Sequence, residues 1–260
     1  MYPYLHIFNL IIPSYGFLIA LGVIIANIFS FLIAKYTQQD FNDFILLEAY
    51  CFLGAFLGSK LLYLIVSFKT IEWDKIFNFN YFNNLMLTGF VFYGGLILGL
   101  IFVLIGGKIH KINSIEYIKN FIFVIPFIHC FGRIGCFMAG CCYGIPYKGF
   151  GAVTFPDNSF ALSKISLFPV QLLEAFCLIL ISLTILYLQM KMKFKYTVEF
   201  YFISYAILRF VLEKFRYDDA RGFFLCFSTS QWISISLIIV GIFCILYRKL
   251  FHNDTSKLVM

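Results

Sequence analysis

Three basic side chains lie inside apolar segments of the chain: Lys60, Arg133 and Arg209. A cation in the hydrocarbon of a bilayer is costly, so a basic residue at such a position indicates a functional site with an anionic partner. Arginine presents a planar fork of donors that matches the oxygens of a phosphate group. These residues therefore predict chemistry on an anion at membrane depth, and a phospholipid headgroup is such an anion.

Two of these cations have a further interpretation. Arg209 and Glu213 are four residues apart, so one helix face would carry both and favour an ion pair. The pair is compatible with a phosphate role, because a carboxylate can orient a guanidinium group. Lys60 has a long aliphatic stem and could instead place its ammonium group at the membrane interface.

Arg133 belongs to a run rich in glycine and cysteine, residues 132–144, which contains three thiols: Cys136, Cys141 and Cys142. Three interpretations of the thiols stay open: packing or a backbone role, a disulfide or other thiol chemistry, and soft metal ligands together with His129. The spacing is not that of a C-x2-C pair, and adjacent cysteines rarely bind one ion well. We therefore expect neither a metal site nor a cofactor.

Polar residues and glycines occur in two other apolar segments. Tyr93, Gly94 and Gly95 are consistent with close packing between helices, or with a polar cavity that the Tyr93 hydroxyl faces. Gln171 and Glu174 lie where a helix is predicted to begin. They suit either the entry of that helix or the polar wall of a cavity.

The composition is that of a membrane protein with several spans. Of the 260 residues, 62% are hydrophobic and 13% are charged, whereas a soluble domain has about 25% charged residues. The net charge of +7 comes from dispersed basic residues, so we expect no nucleic-acid partner. This excess of positive charge is consistent with attraction to anionic lipid and with the enrichment of basic residues on the cytoplasmic side of a membrane.

A membrane span needs about 20 apolar residues. The sequence predicts an all-α fold with seven transmembrane helices in one membrane-embedded domain, residues 1–260. The predicted spans are 13–34, 45–68, 85–106, 121–137, 170–190, 200–215 and 233–247. Lysine and arginine are enriched in the connections after the odd-numbered spans, most clearly at residues 190–195, which predicts an outside N-terminus and a cytoplasmic C-terminus.

Taken together, these motifs resemble the prolipoprotein diacylglyceryl transferase family over about residues 15–247. Residues 132–144 resemble the family signature, with Arg133 at its arginine, and residues 205–216 resemble a late segment that contains Arg209 and Glu213. Residues 54–60, 93–95 and 169–174 resemble three further elements. The motif residues that carry the resemblance are Gly94, Gly95, Gly132, Gly135, Cys136, Cys141 and Gly144.

The resemblance implies a reaction. The diacylglyceryl group of phosphatidylglycerol moves to the lipobox cysteine thiol in the signal peptide of a preprolipoprotein, and a glycerol phosphate leaves. The implied place is the bacterial cytoplasmic (inner) membrane. The implied catalytic residues are Tyr93, Arg133, Arg209 and Glu213. The implied substrate contacts come from Tyr15, Lys60, Arg133, Gln171, Tyr205 and Arg209.

The chain departs from the family pattern on the acceptor side. The family has histidine where Tyr93 stands, asparagine where Cys136 and Ala139 stand, and glutamate where Cys141 stands. Two alternatives therefore stay open beside the transfer to a lipobox cysteine. One is a phospholipid-dependent transferase with a different acceptor, and the other is a non-catalytic lipid-binding membrane protein.

Overall fold

The structure is a computed structural model that describes residues 3–7, 10–157, 159, 161–162, 164–217 and 223–252. Its α-helices are α1 (Ser14–Thr37), α2 (Phe41–Val66), α3 (Phe79–Leu87), α4 (Phe92–His110), α5 (Ser114–Phe121), α6 (Val124–Ala139), α7 (Val170–Met192), α8 (Thr197–Leu212) and α9 (Thr229–His252). Its antiparallel strand pairs are β1 (Tyr4–Ile7) with β2 (Leu10–Pro13), β3 (Val153–Thr154) with β4 (Ser166–Leu167), and β5 (Phe223–Phe224) with β6 (Phe227–Ser228). The chain is therefore mostly helical.

Five helices of the described chain are long and apolar enough to cross a membrane: α1, α2, α4, α7 and α9. The number is six if α5 and α6, which are bent at their break, count as one span. These helices confirm a helical membrane protein with several spans. Helix α8 coincides with the predicted span 200–215 but has 16 residues, fewer than the about 20 of a typical span. Seven spans and their orientation stay predictions.

The contacts within the chain define two compact units, which we describe separately. The first contains Met1–Ile33 and Lys119–Met260, and the second contains Ala34–Ile118. The prediction of one domain over residues 1–260 remains a prediction.

In the second unit, glycines allow α2 and α4 to approach closely. A Cβ atom on Gly58 would lie 2.2 Å from the carbonyl oxygen of Gly94, and the converse distance is also 2.2 Å. A Cβ atom on Gly95 would lie 2.9 Å from the carbonyl oxygen of Ala55. The packing interpretation of Gly94 and Gly95 is therefore confirmed, as expected where small residues replace side-chain bulk between helices.

The predicted span 85–106 differs from the structure at its start. Helix α3 ends at Leu87 and α4 begins at Phe92, so two helices share the predicted segment. The break contains Gly89 with φ +68°, a left-handed conformation that glycine adopts at little cost. Asn78 begins α3 by accepting hydrogen bonds from the backbone of Asn80 and Tyr81, which makes α3 a separate short helix.

In the first unit, α6, α7 and α8 surround a small apolar core. Cys130, Ala175 and Leu178 are buried in this core, and Tyr205 packs against it. The role of Cys130 as a small apolar side chain agrees with the sequence interpretation of cysteines in apolar runs. Ser182 of α7 donates a hydrogen bond to the Phe123 carbonyl at 2.9 Å, just before α6 begins. These contacts fix the register of the two helices that carry the first buried arginine and its partner.

Candidate functional site

Arg133 projects from α6 to a carboxylate on α7. Its Nη2 atom lies 2.9 Å from Oε1 of Glu174, and the two side chains are 13% and 1% exposed. A buried charge without a counter-ion is strongly destabilising, so this pair explains how both charges persist in apolar helices. Glu174 is thus the ionic partner of Arg133, and its place in the wall of a polar cavity stays a prediction.

Arg209 lies in the last turn of α8 and forms the predicted pair with Glu213. Its Nη2 atom is 2.7 Å from Oε2 of Glu213, and it also donates to the Ser230 hydroxyl at 3.2 Å. Oε1 of Glu213 accepts a hydrogen bond from the Ser228 hydroxyl at 2.9 Å. The i,i+4 spacing therefore predicted the ion pair correctly, and Ser228 of β6 and Ser230 of α9 supply hydroxyl partners that the spacing does not reveal.

The start of α9 is fixed by a reciprocal cap. The Ser228 backbone N–H donates to Oε1 of Gln231 at 3.0 Å, and the Gln231 backbone N–H donates to the Ser228 hydroxyl at 3.3 Å. This is the capping-box arrangement of a serine followed three residues later by glutamine. The cap holds Ser228 and Ser230 against Glu213 and Arg209.

A third arginine, Arg216, belongs to the same region and directly follows the predicted span 200–215. It is 8% exposed and pairs through its backbone with Gly144 in an isolated antiparallel bridge. Arg216 is seven residues from Arg209, a spacing that places two residues on the same face of a helix. Because Arg216 lies beyond the end of α8, this spacing did not identify it as a neighbour of Arg209.

The Arg133 and Arg209 pairs interact electrostatically. Glu174 attracts both arginines, and Arg216 repels Arg209. We call this set the arginine cluster: Arg133, Glu174, Tyr205, Arg209, Glu213 and Arg216. Its described members comprise three guanidinium groups and two carboxylates, so the cluster attracts an anion. The His129 ring packs edge-on against Tyr205, with ring centroids 5.5 Å apart.

Some buried donors of the arginine cluster have capacity left for a ligand. Within the described residues, Nε of Arg133 and Nη1 of Arg209 have no hydrogen-bond partner. Buried polar groups are normally hydrogen-bonded, and guanidinium donors suit phosphate oxygens. These two donors therefore have unused capacity for an anionic group.

Other motif residues of the first unit have structural roles next to this cluster. A Cβ atom on Gly135 would lie 3.0 Å from Cα of Tyr15, so this glycine lets α1 approach α6. At Gly132 the corresponding contact, to Ile19, is an ordinary 3.9 Å. Tyr15 is exposed, and its backbone is the part of α1 that Gly135 contacts.

Gln171 and Gly144 fix the segment that follows α6. Nε2 of Gln171, which is almost fully buried, donates to the Cys141 carbonyl at 2.9 Å. A Cβ atom on Gly144 would lie 2.4 Å from the Phe168 carbonyl oxygen and 2.8 Å from that of Phe215. Only glycine fits where the chain at residue 144 meets the backbone at Phe168 and Phe215. Gly144 therefore joins the end of residues 132–144 to the residues after α8.

The three thiols of the run lie together. The Sγ atoms of Cys136, Cys141 and Cys142 are all within 4.8 Å of one another. Hydrogen bonds from the other two thiols lower the pKa of Cys142, and the charges of Arg216 and Arg133 act in the same direction against the effect of burial. The thiol cluster is therefore next to the arginine cluster.

The second unit contains the remaining predicted residues. Lys60 is buried, and its ammonium group donates to the backbone carbonyls of Leu85 and, at 2.7 Å, Thr88. The ammonium group also lies 4.9 Å from the centroid of the Tyr63 ring. Tyr93 is 39% exposed. Lys60 therefore ties α2 to the end of α3, a role that sequence reasoning did not foresee.

The fold and the site define a class: a helical membrane protein of several spans with buried, paired arginines that can bind an anion. The family model described as prolipoprotein diacylglyceryl transferase matches residues 3–247, and the chain belongs to this family, whose members are membrane transferases.

Relatives resemble the chain over nearly its whole length. A Clostridium perfringens (strain 13 / Type A) protein named phosphatidylglycerol–prolipoprotein diacylglyceryl transferase 2 is 36% identical over 247 residues, covering 94% of each chain. A Clostridium tetani (strain Massachusetts / E88) protein named phosphatidylglycerol–prolipoprotein diacylglyceryl transferase is 36% identical over 238 residues, covering 91% of this chain and 93% of its own.

Proposed function

We propose that the protein transfers the diacylglyceryl group of phosphatidylglycerol to the thiol of a lipobox cysteine in a preprolipoprotein signal peptide. The observation that carries this proposal is the arginine cluster, in which two largely buried arginines are each paired with a carboxylate and keep guanidinium donors for an anion. The relatives named after this reaction and the family membership support the same substrate pair.

In the proposed reaction the acceptor sulfur attacks the carbon of the diacylglyceryl group that is bonded to a phosphate oxygen. An S–C bond forms, the C–O bond breaks, and the oxygen leaves with the electron pair as part of a glycerol phosphate. The phosphate changes from a diester to a monoester, so its negative charge increases along the reaction. Arg133 and Arg209 therefore stabilise the transition state more than the bound lipid, which is the condition for catalysis.

The other predicted residues have supporting roles in this proposal. Glu213 and Tyr205 orient the arginines, and Tyr15 and Gln171 line the headgroup cavity. Lys60 and Tyr93 belong to the second unit. For Lys60 we propose substrate binding through its positive charge, and for Tyr93 a hydroxyl that takes part in proton transfer.

We also propose the arrangement in the membrane. The chain forms one transferase domain of seven spans in the bacterial inner membrane, with the N-terminus outside and the C-terminus in the cytoplasm. In this arrangement α8 is the short sixth span, with Arg209 in its last turn and Glu213 directly after its end. A short span suits a helix whose last turn faces a polar, water-reachable chamber instead of hydrocarbon.

The test is transfer by purified protein. Vesicles of phosphatidylglycerol are mixed with a lipobox cysteine peptide, and the products are identified by mass spectrometry. We expect a diacylglyceryl thioether on the peptide and free glycerol phosphate. The matched controls are a peptide with serine in place of the cysteine and vesicles of phosphatidylcholine, and neither should give a product. Absence of the thioether with folded wild-type protein would contradict the proposal.

A second candidate is transfer of the same group to a different acceptor. It is favoured by Tyr93, Cys136 and Cys141, which differ from the family pattern on the acceptor side while both arginines are kept. The two candidates separate in one experiment, in which a membrane extract replaces the peptide and all diacylglyceryl products are identified. A product other than a lipidated cysteine would support the second candidate.

A further inference from the structure

The three thiols at the end of α6 form a set of soft ligands next to the arginine cluster. We propose that Cys136, Cys141 and Cys142 bind one zinc ion, whose fourth coordination position receives the thiol of the acceptor cysteine. This inference rests on the proposed function, because the acceptor thiol belongs to it. It departs from the sequence expectation that the run holds no metal.

The distances between the sulfur atoms fit a single ion. All three Sγ atoms lie within 4.8 Å of one another. A tetrahedral zinc ion with Zn–S bonds of about 2.3 Å separates its sulfur ligands by roughly 4 Å. The three sulfur atoms are therefore close enough together to share one zinc ion.

The backbone explains how adjacent cysteines can share one ion. Gly140 ends α6 with φ +75°, and Cys142 has φ +56°. The Cys141 N–H donates to the Cys136 carbonyl at 3.0 Å, and this bond folds the chain back over the last turn of the helix. A left-handed conformation is uncommon for a residue other than glycine and is typical of functional sites. These two turns direct both thiols towards Cys136.

Neighbouring side chains hold this arrangement and balance its charge. Gln171 donates to the Cys141 carbonyl at 2.9 Å and so fixes the middle thiol. Zinc with three thiolates carries one net negative charge, from two positive and three negative charges. Arg133 and Arg216 both interact electrostatically with Cys142, and their positive charges offset the charge of the zinc unit.

An open fourth position gives the ion a catalytic role. Zinc sites with three protein ligands keep one position for water or substrate, and a thiol bound to zinc loses its proton. The acceptor thiol releases its proton to water on binding. Its sulfur then attacks the glyceryl carbon, the C–O bond breaks, and the glycerol phosphate takes the electron pair. The thioether product is neutral and a weaker ligand, so it leaves the zinc, whose oxidation state does not change.

This role makes activation of the acceptor thiol independent of proton transfer by Tyr93. A tyrosine hydroxyl, as at Tyr93, is a weak base near neutrality. A zinc-bound acceptor needs no side-chain base, because the metal favours the thiolate directly. The arginine cluster then handles the leaving phosphate while the thiol cluster handles the nucleophile.

The first test is metal content. The protein is expressed in cells grown with zinc, purified in detergent and analysed by inductively coupled plasma mass spectrometry. We expect about one zinc ion per chain. Cys141→Ser and Cys142→Ser should each lose most of the zinc, whereas Cys244→Ser, a half-buried cysteine of α9, should keep it. Wild-type protein without zinc, even after incubation with the ion, would overturn the proposal.

The second test detects the fourth ligand by spectroscopy instead of turnover. It uses only wild-type protein, so it does not depend on whether a variant folds. Wild-type protein is loaded with Co²⁺, whose thiolate charge-transfer bands report the number of sulfur ligands. A lipobox cysteine peptide should strengthen these bands in the absence of lipid, and the matched serine peptide should leave them unchanged. If the cysteine peptide at saturation does not alter the spectrum, the acceptor is not a ligand and the proposed role is wrong.

The outcomes separate this inference from the proposed function. Full transfer activity by zinc-free protein would overturn the inference and leave the proposed function intact. Bound zinc and a spectral change on adding the cysteine peptide, together with no lipid transfer, would support the inference and contradict the proposed function.

Discussion

Arg133 and Glu174 illustrate how individual side chains make a buried cation stable and useful. The carboxylate lies 2.9 Å from one guanidinium nitrogen, while Nε of Arg133 has no hydrogen-bond partner within the described chain. One part of the guanidinium is therefore held by the protein, and another part can hold a phosphate. In Arg209, Nη2 contacts Glu213 and Ser230, and Nη1 has no hydrogen-bond partner within the described chain.

Replacement of Glu174 by glutamine tests the first pair. Glu174→Gln leaves the buried charge of Arg133 without its counter-ion, which is strongly destabilising. We expect the midpoint of thermal unfolding in detergent to fall by several degrees. The matched control is Glu199→Gln, whose partner Arg248 is 27% exposed in its side chain. An equal or larger fall in the control would contradict the importance of the Arg133 pair.

Replacement of Ser230 tests whether α9 positions Arg209. Ser230→Ala removes the hydroxyl that accepts from Nη2 of Arg209 at 3.2 Å. A hydrogen bond to a charged group contributes about 1.5–3 kcal/mol, so we expect transfer to fall by about 10- to 100-fold. Ser236→Ala, which removes an exposed hydroxyl on the same helix, should have the wild-type rate. A wild-type rate in Ser230→Ala would show that Arg209 is positioned without α9.

Residue spacing predicted part of this site. Arg209 and Glu213 lie on one helix, so the i,i+4 rule was sufficient. Arg133 and Glu174 come from different helices, and only the packing of α6 on α7 brings them together. No local pattern contains that information.

Among the elements, the junction at Gly144 connects the signature run to the arginine cluster. The Ile145 N–H donates to the Phe215 carbonyl at 3.0 Å, and the Tyr217 N–H donates to the Tyr143 carbonyl at 3.2 Å. These bonds place the residues after α8 beside the residues after α6. The backbone of Arg216 therefore lies next to the thiol run.

Addition of one methyl group at Gly144 tests this junction. In Gly144→Ala the new Cβ atom would lie 2.4 Å from the Phe168 carbonyl oxygen, so one of the three segments must move. We expect a lower midpoint of unfolding and a strong loss of transfer. Gly16→Ala is the control, since nothing lies within 4 Å of its Cβ position. A Gly144→Ala variant with the wild-type midpoint of unfolding and the wild-type transfer rate would contradict the role of the junction.

Hydropathy predicted most of the helices but not their interruptions. Helices α1, α2, α7 and α9 follow the predicted apolar segments closely because length and hydropathy determine them. The break between α3 and α4 depends on the backbone conformation of Gly89 and on the Asn78 cap, which hydropathy does not measure. The sequence left three interpretations of the thiols open and did not predict that their sulfur atoms lie together, because that geometry depends on the left-handed backbone at Gly140 and Cys142.

For the whole molecule, the proposed orientation can be tested directly. The enrichment of lysine and arginine after the odd-numbered segments places the C-terminus in the cytoplasm. A fusion of green fluorescent protein to the C-terminus should fluoresce, and a fusion of alkaline phosphatase should be inactive. The control is an N-terminal phosphatase fusion, which should be active. The opposite pattern would contradict the proposed topology.

The central claim is that Arg133 and Arg209 bind the phosphate of the lipid donor. The most direct measurement is the dissociation constant for phosphatidylglycerol, obtained in detergent by native mass spectrometry. Lysine at position 133 keeps the charge but loses the fork of donors, so we expect Arg133→Lys to bind about 10- to 100-fold more weakly.

Arg248→Lys is the matched control, because Arg248 also pairs with a glutamate, Glu199, at the opposite end of α8 and α9. It should bind the lipid as tightly as the wild-type protein. If folded Arg133→Lys also binds phosphatidylglycerol as tightly as wild type, the arginine cluster does not hold the lipid phosphate and the account is wrong.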